Sequence, residues 1–304
     1  MPASLPSPAM PLSPAGRDSI ATPEQAQALA ARAEVRRTPC GDGDLVWHAW
    51  GRGADPVVLL HGGAGSWTHW IRNIEALVRA GRRVLVPDLP GSGDSSAPPH
   101  GDDADAIPPW LEAGLARLVG AATIDLVGFS FGALVAGLLA AGHSARVRRL
   151  VLVGAPALGT GALRKVPLRS WRGEPPGPAR DAIHRHNLGV FMLAGPASVD
   201  DLAVHLHGAN VARDRMARRR LHQTDLLRRT LPALQCPIWG IWGEHDALYR
   251  DRLGVVADAL PIAPDFRGLT VIPGAGHWVQ YDAAEAFDAA LSSALGGLAE
   301  GVPP

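Results

Sequence analysis

From Asp44 onward the chain alternates between short, mostly apolar runs and longer stretches in which apolar residues recur every three or four positions. The runs are Leu45–Trp50, Val57–Leu60, Val84–Val86, Ile124–Val127, Leu150–Val153, Ile238–Trp242 and Leu269–Ile272. Short apolar runs, clearest in the later segments, are what strands show when both faces are covered, so the pattern predicts an α/β fold: a mainly parallel sheet with helices on both faces. Helices are predicted between them over Trp67–Arg79, Pro109–Val119, Phe131–Ala141, Asp251–Leu260 and Asp282–Leu295. Ahead of the first strand, Thr22-Pro23-Glu24-Gln25 supplies a cap, a first-turn proline and a third-position glutamine, which predict a helix running to about Glu34.

The rhythm fails between Ala155 and Gln235, where no strand is predicted and helical stretches fall near Arg180–Leu193, Ser198–Arg213 and Arg219–Leu231. An insertion of this length between two strands is expected to form a helical lid over the carboxyl ends of the sheet, where open α/β sheets bind their ligands. The expected organisation is a disordered Pro/Ser/Ala-rich leader over residues 1–22, then one α/β domain over residues 23–300 with the lid at about 155–235. A chain of 304 residues is long enough to bury such a core.

Composition changes this picture mainly by exclusion. The formal net charge is zero, which removes the overall electrostatics of a nucleic-acid or membrane-surface binder. No segment runs about eighteen apolar residues without a charge or a break, and the first twenty residues lack the basic start and apolar stretch of a secretory signal. Cys40 and Cys236 stand far apart and outside any CxxC or His-rich setting, so neither zinc nor disulfide chemistry is expected, and a cytoplasmic protein is. The charge is unevenly spread: residues 155–235 hold thirteen Lys plus Arg against six Asp plus Glu, a net of +7 that leaves −7 on the remainder. A positive lid could draw in an anionic small-molecule substrate, but a solvated helix face is the preferred account, above all for Arg218-Arg219-Arg220. His184 with His186, and His205 with His207, have a spacing that makes the side chains diverge on a helix, so no metal ligation is expected of them.

The chemistry is concentrated in the loops that follow strands. Gly128-Phe129-Ser130-Phe131-Gly132 lies between the run Ile124–Val127 and the helical stretch from Phe131, the strand–turn–helix setting in which GxSxG becomes a nucleophile elbow. A serine hydroxyl is a weak nucleophile at neutral pH, so it needs a base and a carboxylate that fixes the base's tautomer. His277, in Gly276-His277-Trp278 just after the last strand, is the expected base. Asp246, in Gly243-Glu244-His245-Asp246 after Ile238–Trp242, is the expected acid, with Glu244 and Asp251 as competitors. Two backbone donors for an oxyanion are expected at Phe131, which opens the helix, and at Gly63 in His61-Gly62-Gly63-Ala64-Gly65. That glycine-rich turn lacks the Lys and Ser/Thr of a phosphate loop, and Gly91-Ser92-Gly93 lacks the third glycine of a dinucleotide fingerprint, so no cofactor is expected. Trp67, Phe129 and Trp278 flank these loops as expected substrate walls.

In order, His61-Gly62-Gly63, Asp88-Leu89-Pro90-Gly91-Ser92-Gly93, the elbow at Ser130, Gly243–Asp246 and Gly276-His277 resemble the landmarks of the α/β-hydrolase superfamily over about residues 45–295. The resemblance implies that fold and a serine hydrolase. Within it, His61-Gly62-Gly63, Arg72-Asn73-Ile74 and His277-Trp278-Val279-Gln280 look like the meta-cleavage-product hydrolases, which split carbon–carbon bonds in vinylogous diketones. The chain departs from that subgroup at Phe129 and Ala133, and the substrate-holding lid arginine that the subgroup implies has only Arg213 and Arg215 as nominal candidates. Hydrolysis of a small carboxylic ester is the expected activity, with carbon–carbon bond hydrolysis and a ligand receptor of negligible turnover as alternatives. Homo-oligomerisation stays open.

Overall fold

Among the described residues, eight strands form one sheet: β1 (Glu34–Cys40), β2 (Gly43–Trp50), β3 (Pro56–Leu60), β4 (Arg83–Pro87), β5 (Ile124–Phe129), β6 (Val147–Val153), β7 (Ile238–Gly243) and β8 (Phe266–Ile272). Their spatial order is β1-β2-β4-β3-β5-β6-β7-β8, antiparallel at β1/β2 and β2/β4 and parallel elsewhere. The structure, a computed structural model, describes residues 20–159, 166–216 and 218–296. Residues 1–19 of the expected leader and 297–300 of the expected domain lie outside that set.

The helices are α1 (Pro23–Ala31), α2 (Ile74–Arg79), α3 (Pro108–Val119), α4 (Phe131–Gly142), α5 (Pro178–Asn187), α6 (Asp201–Ala212), α7 (Leu226–Thr230), α8 (Leu253–Ala259), α9 (Val279–Asp282) and α10 (Ala284–Ala294). Successive side chains on a strand point to opposite faces, and each face carries its own core. Val58, Leu60, Leu126 and Leu150 pack with α3, α4 and α8, whereas Val57, Leu59, Val127 and Val151 pack with α1, α2 and α10. Double coverage is why these strands read as mostly apolar runs.

β1 has no counterpart in the expected set of seven strands. It is an edge strand in which Thr38 and Cys40 alone are buried, and its charged residues and Pro39 hide it from a search for apolar runs. The first helix accordingly stops at Ala31, short of Glu34, although its start is as expected: Thr22 Oγ1 accepts from Gln25 N at 3.3 Å and Gln25 Oε1 accepts from Thr22 N at 3.1 Å. The helix expected over Arg219–Leu231 is broken into a 3₁₀ turn at Leu221–Gln223 and the short α7. Asp103 takes the N–H groups of Arg220 and Leu221, and Thr224 Oγ1 accepts from Leu226 N, so side chains outcompete a continuous ladder. Trp67–Arg79 and Asp282–Leu295 are likewise divided, into a 3₁₀ turn at Trp67–Trp70 followed by α2, and into α9 and α10.

β3 is followed in sequence by β4 on one side, while β5 lies on its other side, so the direction in which strands are added to the sheet reverses between β3 and β5. That crevice is where a ligand site is expected on topology alone. The segment between β6 and β7 carries α5, α6 and α7 and, among its described residues, no strand. It is tied down at several points: Arg72 Nη2 donates to Asp200 at 2.6 Å, Tyr281 Oη donates to Asp200 at 2.6 Å, and Ser66 Oγ donates to Asn210 at 2.7 Å.

Away from that end, α2 and α10 border a cavity of about 210 Å³ lined by Leu77, Ala80, Asp288, Leu291 and Leu295. Burial raises the Asp288 carboxyl from 3.8 to about 7, against the opposing hydrogen bond from Asn73 Nδ2 at 2.8 Å. Between roughly pH 4 and pH 7 the unfolded chain gives up this proton while the folded chain keeps it, so the fold loses stability as pH rises through that window. Asp288→Asn keeps an oxygen for Asn73 and removes the penalty. It is expected to melt several degrees above the wild type at pH 8 and level with it at pH 4 by calorimetry; an equal gain at both values contradicts this account.

Candidate active site

Ser130 sits between β5 and α4 with φ 51° and ψ −119°, a backbone conformation that L-residues rarely adopt and that surrounding structure must enforce. The enforcement is steric. A Cβ on Gly128 would lie 2.4 Å from Gly132 O and 2.6 Å from Ala133 Cα, and one on Gly132 would lie 2.4 Å from His61 O. Only glycine at these two positions lets α4 press onto β3 and β5, and Ser130 N closes the turn by donating to Val153 O at 2.8 Å.

The three loops expected to converge do so. Ser130 Oγ lies 2.9 Å from His277 Nε2, and His277 Nδ1 lies 2.8 Å from Asp246 Oδ2. Asp246 is fully buried and its second oxygen accepts from Leu248 N at 2.9 Å. A carboxylate can only accept, so Nδ1 carries the imidazole proton and Nε2 is left to accept from the serine. The competitors for the acid position are elsewhere: Glu244 is exposed and accepts from Gly274 N, and Asp251 is exposed in a turn. His277 is held between two rings, Phe129 at 5.0 Å and Phe191 at 5.2 Å between centroids, and Gly154 leaves room beside its edge.

The loop after β3 lies against the elbow. A Cβ on Gly62 would be 3.3 Å from Ser130 Cβ, and one on Gly63 would be 3.6 Å from Phe131 Cβ. Two buried histidines hold this loop by accepting backbone hydrogen bonds. His61 Nε2 accepts from Leu89 N at 2.8 Å, and His69 Nδ1 accepts from Gly62 N at 3.2 Å. Burial keeps the His61 imidazole below its ordinary range and the His69 imidazole well below it, so both stay neutral and able to accept. His69 O in turn accepts from Trp278 Nε1 at 2.8 Å, which links this loop to the residue next to His277.

Several expected substrate contacts are corrected. Trp67 packs against His48 and Trp50, each 5.3 Å away between centroids, at a position three inter-strand spacings of about 4.8 Å from β5. Phe129 is fully buried beneath His277, and Trp278 is buried between Tyr281 and His69, so both are scaffold rather than wall. Arg213 pairs with Asp94, and Arg215 donates to Gly93 O and Ser95 O, so both arginines clamp the loop after β4 instead of reaching Ser130. Among the described residues, Arg219 is an arginine that does reach the site. Its Cζ lies 3.6 Å from the Cβ position of Gly63 and 5.2 Å from the centre of the Phe131 ring. It is 17% exposed and pairs with Asp214 through both Nη1 (3.0 Å) and Nη2 (2.6 Å).

Sequence reasoning missed His69, Phe191 and Arg219. His69 carried a signal, since a polar residue among Trp67, Trp70 and Ile71 needs a buried partner; Arg219 sat in a basic run with none. The divergence expected within each histidine pair of the insertion holds, but α5 and α6 bring His184 and His207 together at 5.3 Å between centroids.

A model of the alpha/beta hydrolase fold matches residues 55–188. The chain is 28% identical over 256 residues to a 2-hydroxy-6-oxononadienedioate/2-hydroxy-6-oxononatrienedioate hydrolase of a Pseudomonas species, covering 78% of this chain and 87% of that protein. It is 28% identical over 263 residues to a 2-hydroxy-6-oxo-6-phenylhexa-2,4-dienoate hydrolase of Burkholderia cepacia, covering 77% and 85%. Among solved structures, a carboxylesterase of Bacillus subtilis superposes with a TM-score of 0.70 at 19% identity over 90% of this chain and 95% of that one. With eight strands in this order, a serine elbow after β5 and these relatives, the chain is an enzyme of the α/β-hydrolase fold, a hydrolase.

Proposed function

We propose that the chain is a serine hydrolase in which Ser130 attacks the carbonyl carbon of a small-molecule substrate, a carboxylic ester in the first reading. The observation that carries this is the unbroken relay from Ser130 Oγ through His277 to Asp246, at 2.9 Å and 2.8 Å. His277 Nε2 takes the serine proton as Oγ bonds to carbon, and Asp246 stabilises the resulting imidazolium. The negative oxygen of the tetrahedral intermediate is received by the N–H groups of Gly63 and Phe131, the latter at the positive end of α4. His277 then returns the proton to the departing alcohol, leaving an acyl-enzyme, and a water deprotonated by the same imidazole releases the acid. No cofactor takes part. The insertion between β6 and β7 serves as the lid: Phe191 covers His277, and Arg219 stands beside Gly63.

A second reading, hydrolysis of a carbon–carbon bond in a meta-cleavage-type dienone, is favoured by the names of the curated relatives. Those names denote carboxylates, and Arg219 is placed to meet a carboxylate near the oxyanion loop. In that reaction the leaving carbon must first be protonated to the ketone, a step that falls to His277, since the buried Phe129 offers no polar group beside the nucleophile.

A fluorophosphonate is expected to label Ser130, located by peptide mapping, and Ser130→Ala is expected to abolish labelling and lower kcat by roughly 10⁴-fold or more. Labelling of another residue with Ser130 unmodified contradicts the assignment. Nitrophenyl esters assayed beside a dienone carboxylate, followed by absorbance, separate the two readings by which class turns over. His69→Phe, which keeps the ring and loses the acceptor for Gly62 N–H, is expected to cut kcat about tenfold at unchanged KM, below the 10²–10³ of deleting an oxyanion donor outright. His69→Asn restores an acceptor and most of the rate; equal losses in the two variants contradict the positioning role. Arg219→Gln is expected to raise KM about tenfold for carboxylate-bearing substrates and to leave that for neutral esters within twofold, the scale of a lost charged hydrogen bond.

A further inference from the structure

We propose that His48, Asp88 and Asp94 form a binding site for a divalent transition-metal ion such as Zn²⁺, which competes with Arg213 for the Asp94 carboxylate. The three residues come from β2 and from the loop after β4, and one ligand atom from each lies within 4.8 Å of the other two. His48 is 93% buried, at 7% relative exposure, and its Nε2 is buried without a hydrogen-bond partner. The polar atom facing it, Asp88 Oδ2, is 3.7 Å away, too far for a hydrogen bond. That separation suits two ligands of one ion, which stand roughly 3.4 Å apart in a tetrahedral site with bonds of about 2.1 Å.

The ligands are held in advance. The His48 ring lies between Trp50 at 6.2 Å and Trp67 at 5.3 Å, which restricts its rotation. Asp88 is fixed by Trp67 N at its Oδ1 and Asp94 N at its Oδ2, both at 2.9 Å, and each oxygen keeps a lone pair for an ion. Asp94 is 53% exposed and forms the open side, giving an entry path and leaving a fourth position to water. One imidazole and two carboxylates select zinc, cobalt or nickel over magnesium and calcium, which prefer all-oxygen shells.

In the present arrangement the Arg213 guanidinium supplies the positive charge at Asp94. An ion that takes this oxygen displaces Arg213 and removes one tie between the insertion and the 91–96 loop, while Arg215, bonded to the carbonyls of Gly91, Gly93 and Ser95, keeps the rest.

The test is calorimetric titration of Zn²⁺ into the whole chelator-treated chain, with Co²⁺ absorption as a second readout. The wild type is expected to bind one ion that His48→Phe and Asp94→Asn each bind at least tenfold more weakly. Phe preserves the aromatic stack and Asp94 is exposed, so thermal melts are expected to show both variants folded. Arg213→Gln, lacking the competitor, is expected to bind about tenfold more tightly and to give intense tetrahedral-type Co²⁺ bands that His48→Phe lacks. Absence of binding by both the wild type and Arg213→Gln, or undiminished binding by His48→Phe and Asp94→Asn, overturns the proposal.

Discussion

The structure depends on one steric bargain at the amino end of α4. Ser130 holds an unfavourable backbone conformation, of the kind that costs on the order of 1–3 kcal/mol. What holds it there is contact between α4 and two strands at a distance only Gly128 and Gly132 allow. The apolar residues of α4, buried on the β3, β5 and β6 side, supply the force: Leu134, Val135 and Leu139 are fully enclosed. Widening that contact by a single methyl group would relax the turn, withdraw the hydroxyl from His277, and move Phe131 away from Gly63. Packing of an ordinary helix is therefore the source of the serine's placement.

The relay needs the same rigidity at two further strand ends, and the chain obtains it by backbone contact. Gly276 has no room for a Cβ because the backbone of Leu193 and Ala194 lies against it, and Trp278 N donates to Met192 O at 2.6 Å. The loop bearing His277 is thus fixed by the same insertion that covers it. Asp282, whose carboxylate accepts from Ala194 N and Gly276 N, joins both sides of that contact. In the proposed reaction, moving the insertion would disturb the base as well as expose it, so substrate entry and the alignment of His277 are mechanically coupled.

The sheet was legible in the sequence wherever strand residues are mostly apolar. Coverage on both faces enforces this in β3 and β5–β7, and the half-exposed edge strand β8 keeps it through Leu269, Val271 and Ile272; β1, exposed and charged, left no such trace. Ser130, Asp246 and His277 were legible because each stands at a fixed offset beyond a strand that could itself be read. Their placement follows from local geometry. Arg219, His69 and Phe191 follow from none: which residue of the insertion meets Gly63 or His277 depends on how α5, α6 and the 213–223 segment pack onto the body. The same cause misled the assignment of Arg213 and Arg215, which share the sequence neighbourhood of Arg219 but are drawn off by Asp94 and by carbonyls of the 91–95 loop. Trp67 and Trp278 were placed near the correct loops, yet sequence could not say which way each ring turned.

Part of the insertion's charge is tied into ion pairs once the chain is folded. Arg185 pairs with Asp201, Arg229 with Asp225 and Arg219 with Asp214 inside the insertion, while Arg213 is answered by Asp94 of the body. Asp200, in return, is claimed by Arg72. Exposed pairs of this kind contribute about 0–1 kcal/mol each and are screened within about 8–10 Å, so they fix side chains more than they project a field. The internal pairs are already counted in the formal +7, and the ties to Asp94 and Arg72 offset each other, so the surplus itself is unchanged and salt screening alone limits its reach. Arg219 differs from the exposed pairs because it and Asp214 are both largely enclosed, where water screens little. A carboxylate arriving beside Gly63 would compete with Asp214 for the same guanidinium, and selectivity for an anion in the proposed function would then arise from that exchange at contact distance, not from the net charge above the site.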